Sequence, residues 1–193
     1  MVYRYDVLGL GVTAVDELLS VAEYPPADSK ARVQRRERHC GGLTATALVA
    51  ASRLGSRCAY AGILGEDELS RFVLARMEAE GVDTSMVGRH AEARPVHAII
   101  VIEESRQTRT IFFDPRGCEG PSVDWPPAEV IRSARVLFVD HYGVEGVLRA
   151  IEIAHTAGIP VVADLEGDEH PRFGELLAAV DHLILSHGFA ARV

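Results

Sequence analysis

The sequence predicts an α/β fold, in which a parallel sheet is flanked by helices on both faces and a small β-sheet lies outside it. Three observations predict this class. From residue 126 onward apolar strands alternate with helical segments, as in right-handed βαβ units. Short apolar runs closed by glycine precede the helices of the first third. Two polar stretches there suit only strands with one solvated face, which a second sheet supplies.

The first predicted elements alternate between the two sheets. Residues 5–11 (YDVLGLG) are apolar and end in glycines, so we expect a buried strand and a tight turn. The stretches 13–21 and 30–39 are predicted strands of the outer sheet, since KARVQRRERH is too charged for a core strand. Residues 43–54 predict a helix, and Gly55 is placed to end it.

The middle of the chain predicts one more strand of the main sheet and a hairpin. A second buried strand is expected over 57–63 (RCAYAGI). Asp67 is the predicted N-cap of a helix that runs to Glu80 with apolar residues at helical spacing. Residues 96–102 and 108–113 are rich in β-forming residues and flank a polar turn, so we expect a hairpin that completes the outer sheet.

The last third predicts a regular alternation of helices and strands. In order, the expected elements are helix 129–133, strand 136–139, helix 144–156, strand 160–164, helix 172–179 and strand 182–185. In a parallel sheet of this kind, ligands bind beyond the carboxyl ends of the strands. Polar residues that follow these strands are therefore the candidates for a site.

Composition excludes several classes of protein. The 193 residues carry a net charge of −8, which disfavours a general nucleic-acid binder. No apolar run approaches the roughly 20 residues that span a bilayer, and the start lacks the apolar middle of a signal peptide, so we expect a cytoplasmic protein. Cys40, Cys58 and Cys118 are widely spaced and odd in number, which disfavours a disulfide framework or a zinc site.

The most informative local feature is Cys40-Gly41-Gly42 before a predicted helix. Paired glycines let the backbone approach a ligand, and the free amides of a helix N-terminus favour an oxyanion or a hydroxyl. Alone, the motif favours an ordinary tight turn into a helix over a binding site. A nucleotide-binding dehydrogenase is a weaker alternative, because Gly9-Leu10-Gly11 lacks the third glycine and no helix follows directly.

A larger set of motifs occurs in a fixed order along the chain. The set is Gly9-x-Gly11, Asp16, Gly41-Gly42, Arg53-Leu54-Gly55, Gly62-x-x-Gly65-x-Asp67 and Gly81-Val82-Asp83-Thr84. In order and spacing it resembles the ribokinase-like (PfkB) family of carbohydrate kinases over essentially the whole chain. The segments QTRTIFFDP and VVADLEGDEHPRFGELL are most similar to the ketohexokinase and fructokinase-like branch.

The resemblance implies a fold and an activity. Residues 1–193 would be the amino-terminal part of a ribokinase-like α/β domain, with lid strands drawn from about 13–39 and 96–113. The implied reaction is ATP-dependent phosphorylation of a sugar hydroxyl, with ATP and Mg²⁺ as cofactors and a small-molecule sugar as substrate. The implied assembly is a homodimer through the lid sheet. No nucleic-acid or membrane partner is expected.

The resemblance also implies roles for five residues in substrate binding. Asp16 would accept hydrogen bonds from sugar hydroxyls, and Gly41 and Gly42 would pack against the sugar. Thr46 stands where the family usually has an asparagine, and its single donor leaves the identity of the sugar open. Asp140, after the strand VLFVD, would reach the same cleft, although a purely structural role is an equal alternative.

Charged residues elsewhere are candidates for phosphate and metal. Arg109 would steady the transferred phosphate, or would be an ordinary solvated hairpin arginine. Asp164 and Glu166 would hold Mg²⁺ through water, because oxygen ligands suit that cation. His141 could face the cleft beside its neighbour in sequence.

Two departures from the family affect the expected activity. The segment 186–190 (SHGFA) stands where the family usually has an asparagine and a glutamate at a helix start. The ketohexokinase-like branch also departs from the family there, so this difference alone does not indicate an inactive enzyme. The glycine-rich turn with the catalytic aspartate is expected beyond Val193, so no catalytic residue is assigned within the chain. The alternative function is therefore a catalytically inactive fragment that binds a sugar or a partner. A nucleoside substrate also stays open.

Overall fold

A computed structural model describes residues 3–192. Met1, Val2 and Val193 lie outside the described residues, and so do the expectations about how the chain starts and stops. The strands are β1 (Tyr5–Leu10), β2 (Ala14–Val21), β3 (Arg35–Gly41), β4 (Cys58–Tyr60), β5 (Ile63–Leu64), β6 (Gly88–Arg89), β7 (Val96–Glu103), β8 (Thr108–Asp114), β9 (Ala134–Val139), β10 (Val161–Leu165) and β11 (His182–Leu185). The helices are α1 (Leu43–Arg53), α2 (Glu68–Ala79), α3 (Ala128–Arg132), α4 (Val144–Thr156), α5 (Phe173–Ala179) and α6 (His187–Ala190).

Five strands form the central sheet, in the order β11-β10-β9-β1-β4, and every pairing is parallel. Successive residues of β1 face opposite sides. Leu8 and Leu10 pack in the cluster that contains α4 and α5. A Cβ on Gly9 would lie 2.6 Å from the Leu48 side chain of α1, so the other face of β1 is pressed against that helix. Helices therefore cover both faces, and the predicted fold class is confirmed.

The outer sheet, which we call the lid, has the strand order β3-β2-β7-β8. Its outer pairs are antiparallel and its central pair, β2 with β7, is parallel. Directly paired residues share a face of a sheet. Asp16 thus shares one face with His39 and Ala98, whereas Glu17 lies on the opposite face with Arg38. Only this second face packs toward helix α2, through Val15 and the Arg38–Glu68 ion pair.

Two predicted strands needed correction. The single strand expected over 57–63 is divided, since Cys58–Tyr60 joins the central sheet and Ile63–Leu64 pairs with Gly88–Arg89 in a small sheet of its own. The strand expected over 30–39 begins only at Arg35. Its partner β2 ends at Val21, and the first pair of the ladder is Ser20 with Arg35, so residues 30–33 lie beyond the end of that strand.

Two local predictions, the cap of α2 and the β7–β8 hairpin, are confirmed. The Asp67 carboxylate accepts hydrogen bonds from the backbone N–H groups of Leu69 and Ser70, at 2.8 and 3.2 Å, and so caps α2. The hairpin is formed by β7 and β8. All three cysteines are free. Within residues 3–192, the helices are all too short or too polar to cross a membrane.

Candidate active site

The site lies where the carboxyl ends of the central strands meet the root of the lid, by which we mean the two connections at residues 11–13 and at Gly42. In β9, Val139 pairs with Leu10 of β1 and with Ala163 of β10. The next residue in each strand or turn therefore lies at the same edge, which places Asp140 between Gly11 and Asp164. The chain leaves β1 after Leu10 and enters the lid at Ala14. Gly11, Asp140 and Asp164 thus lie beyond the carboxyl ends of three neighbouring strands, the edge at which ligands bind in sheets of this kind.

Asp16 is a half-buried carboxylate on the open face of the lid. Burial raises its pKa above the ordinary value, and the charge of His39, directly opposite in β3, partly offsets the rise. A Cβ built on Gly41 would lie 2.1 Å from Asp16 Oδ2. The carboxylate thus occupies the space that the missing side chain of Gly41 leaves. The structure brings together these two predicted substrate-binding residues.

Gly42 joins the lid to helix α1. Its φ is +92°, and a Cβ there would lie 2.7 Å from the carbonyl carbon of Thr13 and 2.8 Å from the backbone nitrogen of Ala14. Only glycine fits this left-handed conformation and close approach. The first turn of α1 follows at once, and its free N–H groups can meet an oxygen-rich ligand. Thr46 lies in this turn and is exposed.

Asp140 is fully buried. Its Oδ2 accepts hydrogen bonds from the backbone N–H of Val12 and from Thr44 Oγ1, both at 2.8 Å, and its Oδ1 accepts one from the backbone N–H of Tyr142 at 3.0 Å. Burial raises the pKa of Asp140 to about 6, despite the lowering effect of these three hydrogen bonds. Both oxygens therefore face protein donors rather than open space.

Three further candidates lie beside Asp140. His141 Nδ1 accepts a hydrogen bond from the backbone N–H of Glu166 at 3.3 Å, and burial lowers the pKa of this histidine. Asp164 is half-buried, and its pKa is raised by burial and then by the nearby charge of Glu166. The two predicted metal-binding carboxylates are thus neighbours. Among the described residues, no set of three or more metal-binding side chains is clustered.

Arg109 is the one predicted site residue that lies apart from the others. It is exposed on β8 and pairs with Ile102, which pairs with Ser20 of β2. This row lies four residues, or about 13 Å, along the strand direction from the row that contains Asp16. The structure does not bring Arg109 to Asp16 within one chain.

Two residues of the site were not predicted from the sequence. Tyr60 is buried and its hydroxyl donates a hydrogen bond to the carbonyl oxygen of Gly11 at 2.9 Å. Thr44 is buried on α1 and donates to Asp140. A tyrosine inside the apolar run CAYAGI was a usable signal, because a buried phenol needs a hydrogen-bond partner.

The arrangement suits a small molecule rich in hydroxyl groups. Three features lie together at one end of the lid: the half-buried carboxylate of Asp16, the turn at Gly41 and Gly42 that admits close contact, and the free N–H groups of α1. An ionised carboxylate only accepts hydrogen bonds, so it selects hydroxyl donors, and the N–H groups match hydroxyl oxygens.

Known proteins that are similar to this chain in sequence include two carbohydrate kinases. A 5-dehydro-2-deoxygluconokinase from Shouchella clausii is 24% identical over 198 residues, covering 94% of this chain and 60% of the relative. Fructokinase-1 from Oryza sativa subsp. japonica is 30% identical over 167 residues, covering 79% of this chain and 48% of the relative. The chain thus spans about half of the fructokinase and 60% of the first relative. The match to a fructokinase bears out the expected branch.

The same fold occurs in solved structures. The structure of Arabidopsis thaliana ribokinase complexed with ribose and ATP superposes with a TM-score of 0.78 at 19% identity, covering 97% of this chain and 62% of that chain. The pfkB family of carbohydrate kinases matches residues 10–188, a range that contains Asp16, Gly41, Gly42 and Asp140. With the fold, the strand-end site and this match in agreement, the chain belongs to the pfkB carbohydrate kinase family.

Proposed function

We propose that this chain is the sugar-binding part of a kinase that transfers the terminal phosphoryl group of ATP to a sugar hydroxyl. The observation that carries the proposal is the placement of Asp16 against Gly41, beside the glycine turn that opens α1. In this role Asp16 accepts hydrogen bonds from sugar hydroxyls, while Gly41 and Gly42 let the sugar ring approach the backbone. Asp16 and the glycine turn orient the acceptor hydroxyl for transfer.

A ketose such as fructose is the proposed substrate class. The fructokinase among the relatives supports it. Thr46 carries one hydroxyl and lies exposed on the first turn of α1, where it can contact the sugar without the two donors of an amide. The relative that acts as a 5-dehydro-2-deoxygluconokinase makes a sugar acid the competing candidate. A nucleoside is a third candidate, and binding measurements separate the three.

The proposed cofactors are ATP and Mg²⁺. Mg²⁺ commonly binds one or two carboxylates and keeps several waters, so the neighbouring pair Asp164 and Glu166 fits a water-mediated contact. The ion would neutralise phosphate charge.

The base that accepts the hydroxyl proton is proposed to lie in the part of the relatives that this chain does not span. A phosphate contact by Arg109 stays a prediction that its placement does not support. A cytoplasmic location belongs to the same proposal.

The open edge of the central sheet supports the existence of a further part. Parallel sheets of this class are normally covered on both faces. In the edge strand β11, however, Leu183 is 41% exposed and Ile184 is 51% exposed. Additional strands and helices would bury these side chains. We propose that this edge is continuous with the nucleotide-binding part.

The experiment combines binding and turnover on the 193-residue chain. Calorimetry with D-fructose, D-gluconate and adenosine is expected to show binding of fructose alone. An ADP-release assay with ATP, Mg²⁺ and fructose is expected to show no turnover by this chain. Binding of none of the three compounds contradicts the proposal. Measurable turnover contradicts the assignment of the base to a part outside this chain.

A homodimer through the lid is part of the proposal. Four large apolar side chains of lid strands β7 and β8 are exposed by 43% to 63%: Ile111 and Phe113 on the face that carries Asp16, and Ile99 and Phe112 on the opposite face. Such patches mark association surfaces. Light scattering at micromolar concentration is expected to give a dimer, and a Phe113→Asp variant is expected to be a monomer. A monomeric wild-type chain contradicts this part of the proposal.

A further inference from the structure

The peptide unit between Gly11 and Val12 is held at both of its polar ends. The Tyr60 hydroxyl donates to the Gly11 carbonyl oxygen at 2.9 Å, and the Asp140 carboxylate accepts from the Val12 N–H at 2.8 Å. A peptide unit is planar and its C=O and N–H groups point in opposite directions. Two hydrogen bonds to the two ends therefore fix the orientation of the whole unit.

This peptide is where the chain leaves the central sheet. β1 ends at Leu10 and the first lid strand, β2, begins at Ala14. The two residues that hold the peptide come from β4 and from the end of β9, and these strands flank β1 on its two sides. Tyr60 is 1% exposed and Asp140 is 0% exposed, so water does not compete for either hydrogen bond.

The segment in which the chain returns from the lid to helix α1 also contacts the Asp140 carboxylate. β3 ends at Gly41, and α1 starts after Gly42. The Thr44 hydroxyl in the first turn of α1 donates to Asp140 Oδ2 at 2.8 Å, the oxygen that also accepts from Val12. Both connections between the main domain and the β2–β3 half of the lid thus meet at one buried side chain.

Gly11 provides the space for this contact. A Cβ at Gly11 would lie 2.1 Å from Asp140 Oδ2 and 2.3 Å from Thr44 Oγ1. The three groups can meet only because residue 11 has no side chain. Asp140 is 0% exposed and both of its oxygens accept from protein donors, so its carboxylate faces the protein interior.

We propose that Tyr60 and Asp140 are positioning residues that set the direction in which the lid leaves the central sheet, and thereby the location of Asp16. The proposal rests on the proposed sugar-binding function only where it concerns Asp16. Asp16 follows Val12 by four residues, or about 13 Å of extended strand. Over that length a 15° rotation of the peptide displaces Asp16 by about 3 Å, which is enough to lose a hydrogen bond.

The test compares two tyrosine-to-phenylalanine variants. Tyr60→Phe deletes the hydroxyl that holds Gly11 and keeps the buried ring. Tyr5→Phe is the matched control, because Tyr5 is also buried and its hydroxyl donates to Asp83 at 2.6 Å, at the opposite end of β1. Amide hydrogen exchange is measured on the lid strands β2 and β3 and on the central strand β10 in each protein.

If Tyr60 holds the root of the lid, its loss is expected to speed amide exchange in the lid strands and not in the central sheet. In Tyr60→Phe, amides of β2 and β3 are expected to exchange about 5- to 10-fold faster than in the wild type, the ratio that corresponds to one net hydrogen bond. Amides of β10 are expected to stay within about twofold. Unchanged lid exchange, an equal rise in β10, or the same lid response in Tyr5→Phe each overturns the proposal.

Fructose binding separates this inference from the proposed function. If the wild-type chain binds D-fructose, Tyr60→Phe is expected to weaken binding about fivefold or more, with Tyr5→Phe unchanged. An equal loss in both variants overturns the link between the lid root and Asp16. If the wild type binds no fructose, the proposed function fails, while the exchange comparison still decides whether Tyr60 orients the lid.

Discussion

At the scale of single residues, the position of the Asp16 carboxylate depends on the absence of a side chain at Gly41. The carboxylate of Asp16 fills the volume that a side chain at residue 41 would take. Gly41 has no left-handed φ, so an alanine there would strain only this contact and not the backbone. The substitution therefore separates the position of the carboxylate from the stability of the fold.

Gly41→Ala is expected to weaken fructose binding at least tenfold, because the new methyl group displaces Asp16 Oδ2. The free energy of unfolding is expected to change by less than about 1 kcal/mol. Gly174→Ala is the control, since a Cβ there would meet no atom within 4 Å outside its own helix backbone and chain neighbours. Calorimetry and urea denaturation measure the two effects. Unchanged fructose affinity in Gly41→Ala would show that Asp16 does not bind the sugar.

The raised pKa of Asp140 predicts that the free energy of unfolding depends on pH. Its pKa in the folded chain is about 6, above the ordinary 3.8. The folded chain therefore binds this proton more tightly than the unfolded chain, and the resulting stabilisation is complete below pH 3.8 and lost as the pH rises through 6. Between pH 4 and 7 the wild type should lose roughly 2 to 3 kcal/mol of unfolding free energy relative to Asp140→Asn. Urea denaturation that shows a constant difference across this range would contradict the burial argument.

Residues with a local signal were predictable, and residues with long-range partners were not. The glycine pair was identified from its position directly before a predicted helix, and Asp16 from the resemblance of the ordered motif set to a known family. Tyr60 bonds to a residue 49 positions away, and Thr44 bonds to one 96 positions away. Such contacts depend on strand order and register, which spacing along one chain does not contain. Asp140 was selected correctly as a strand-end residue, but its full burial depends on those same contacts.

At the scale of elements, the lid is joined to helix α2 through a buried carboxylate. Glu17 of β2 is 6% exposed and accepts hydrogen bonds from Arg36 and Arg38. Arg38 also donates to Glu68, the first residue of α2, at 2.6 Å and lies over the ring of Phe72. These contacts lie on the face of the lid opposite to Asp16.

Arg38→Met is expected to lower the free energy of unfolding by about 2 kcal/mol, because Glu17 would stay buried with only the exposed Arg36 as its partner. Arg53→Met is the matched control. It removes an ion pair with Glu80 in which the arginine is 66% exposed, and should therefore lower the free energy of unfolding much less than Arg38→Met does. Urea denaturation of both variants measures the contrast. Equal losses would mean that the Glu17 pair behaves as an ordinary surface pair.

Element type was predictable where hydrophobic spacing was regular, and element boundaries depended on partners. The helix over 144–156 and the strand over 182–185 have the predicted bounds because apolar residues define them. The charged stretch before Arg35 has the composition of the strand that follows it. Its conformation differs because β2 ends at Val21, and nothing in the stretch itself shows where its partner ends.

At the scale of the whole molecule, two sheets with separate roles meet at one edge. The parallel sheet supplies strand ends that hold the root of the lid, and the lid supplies Asp16. The alternation of strands and helices predicted the first sheet, and polar strands predicted the second. The split of 57–63 was not predictable from hydrophobicity, since both halves are buried but in different sheets.

The central claim is that the Asp16 face of the lid binds a sugar. Titration of D-fructose into the wild-type chain and into Asp16→Asn, followed by calorimetry, tests it most directly. Asparagine keeps the size of the side chain but replaces one acceptor oxygen with a donor. The account predicts saturable binding to the wild type and a loss of at least tenfold in affinity for the variant. Equal affinity of the two proteins, or no fructose binding by the wild type, would contradict it.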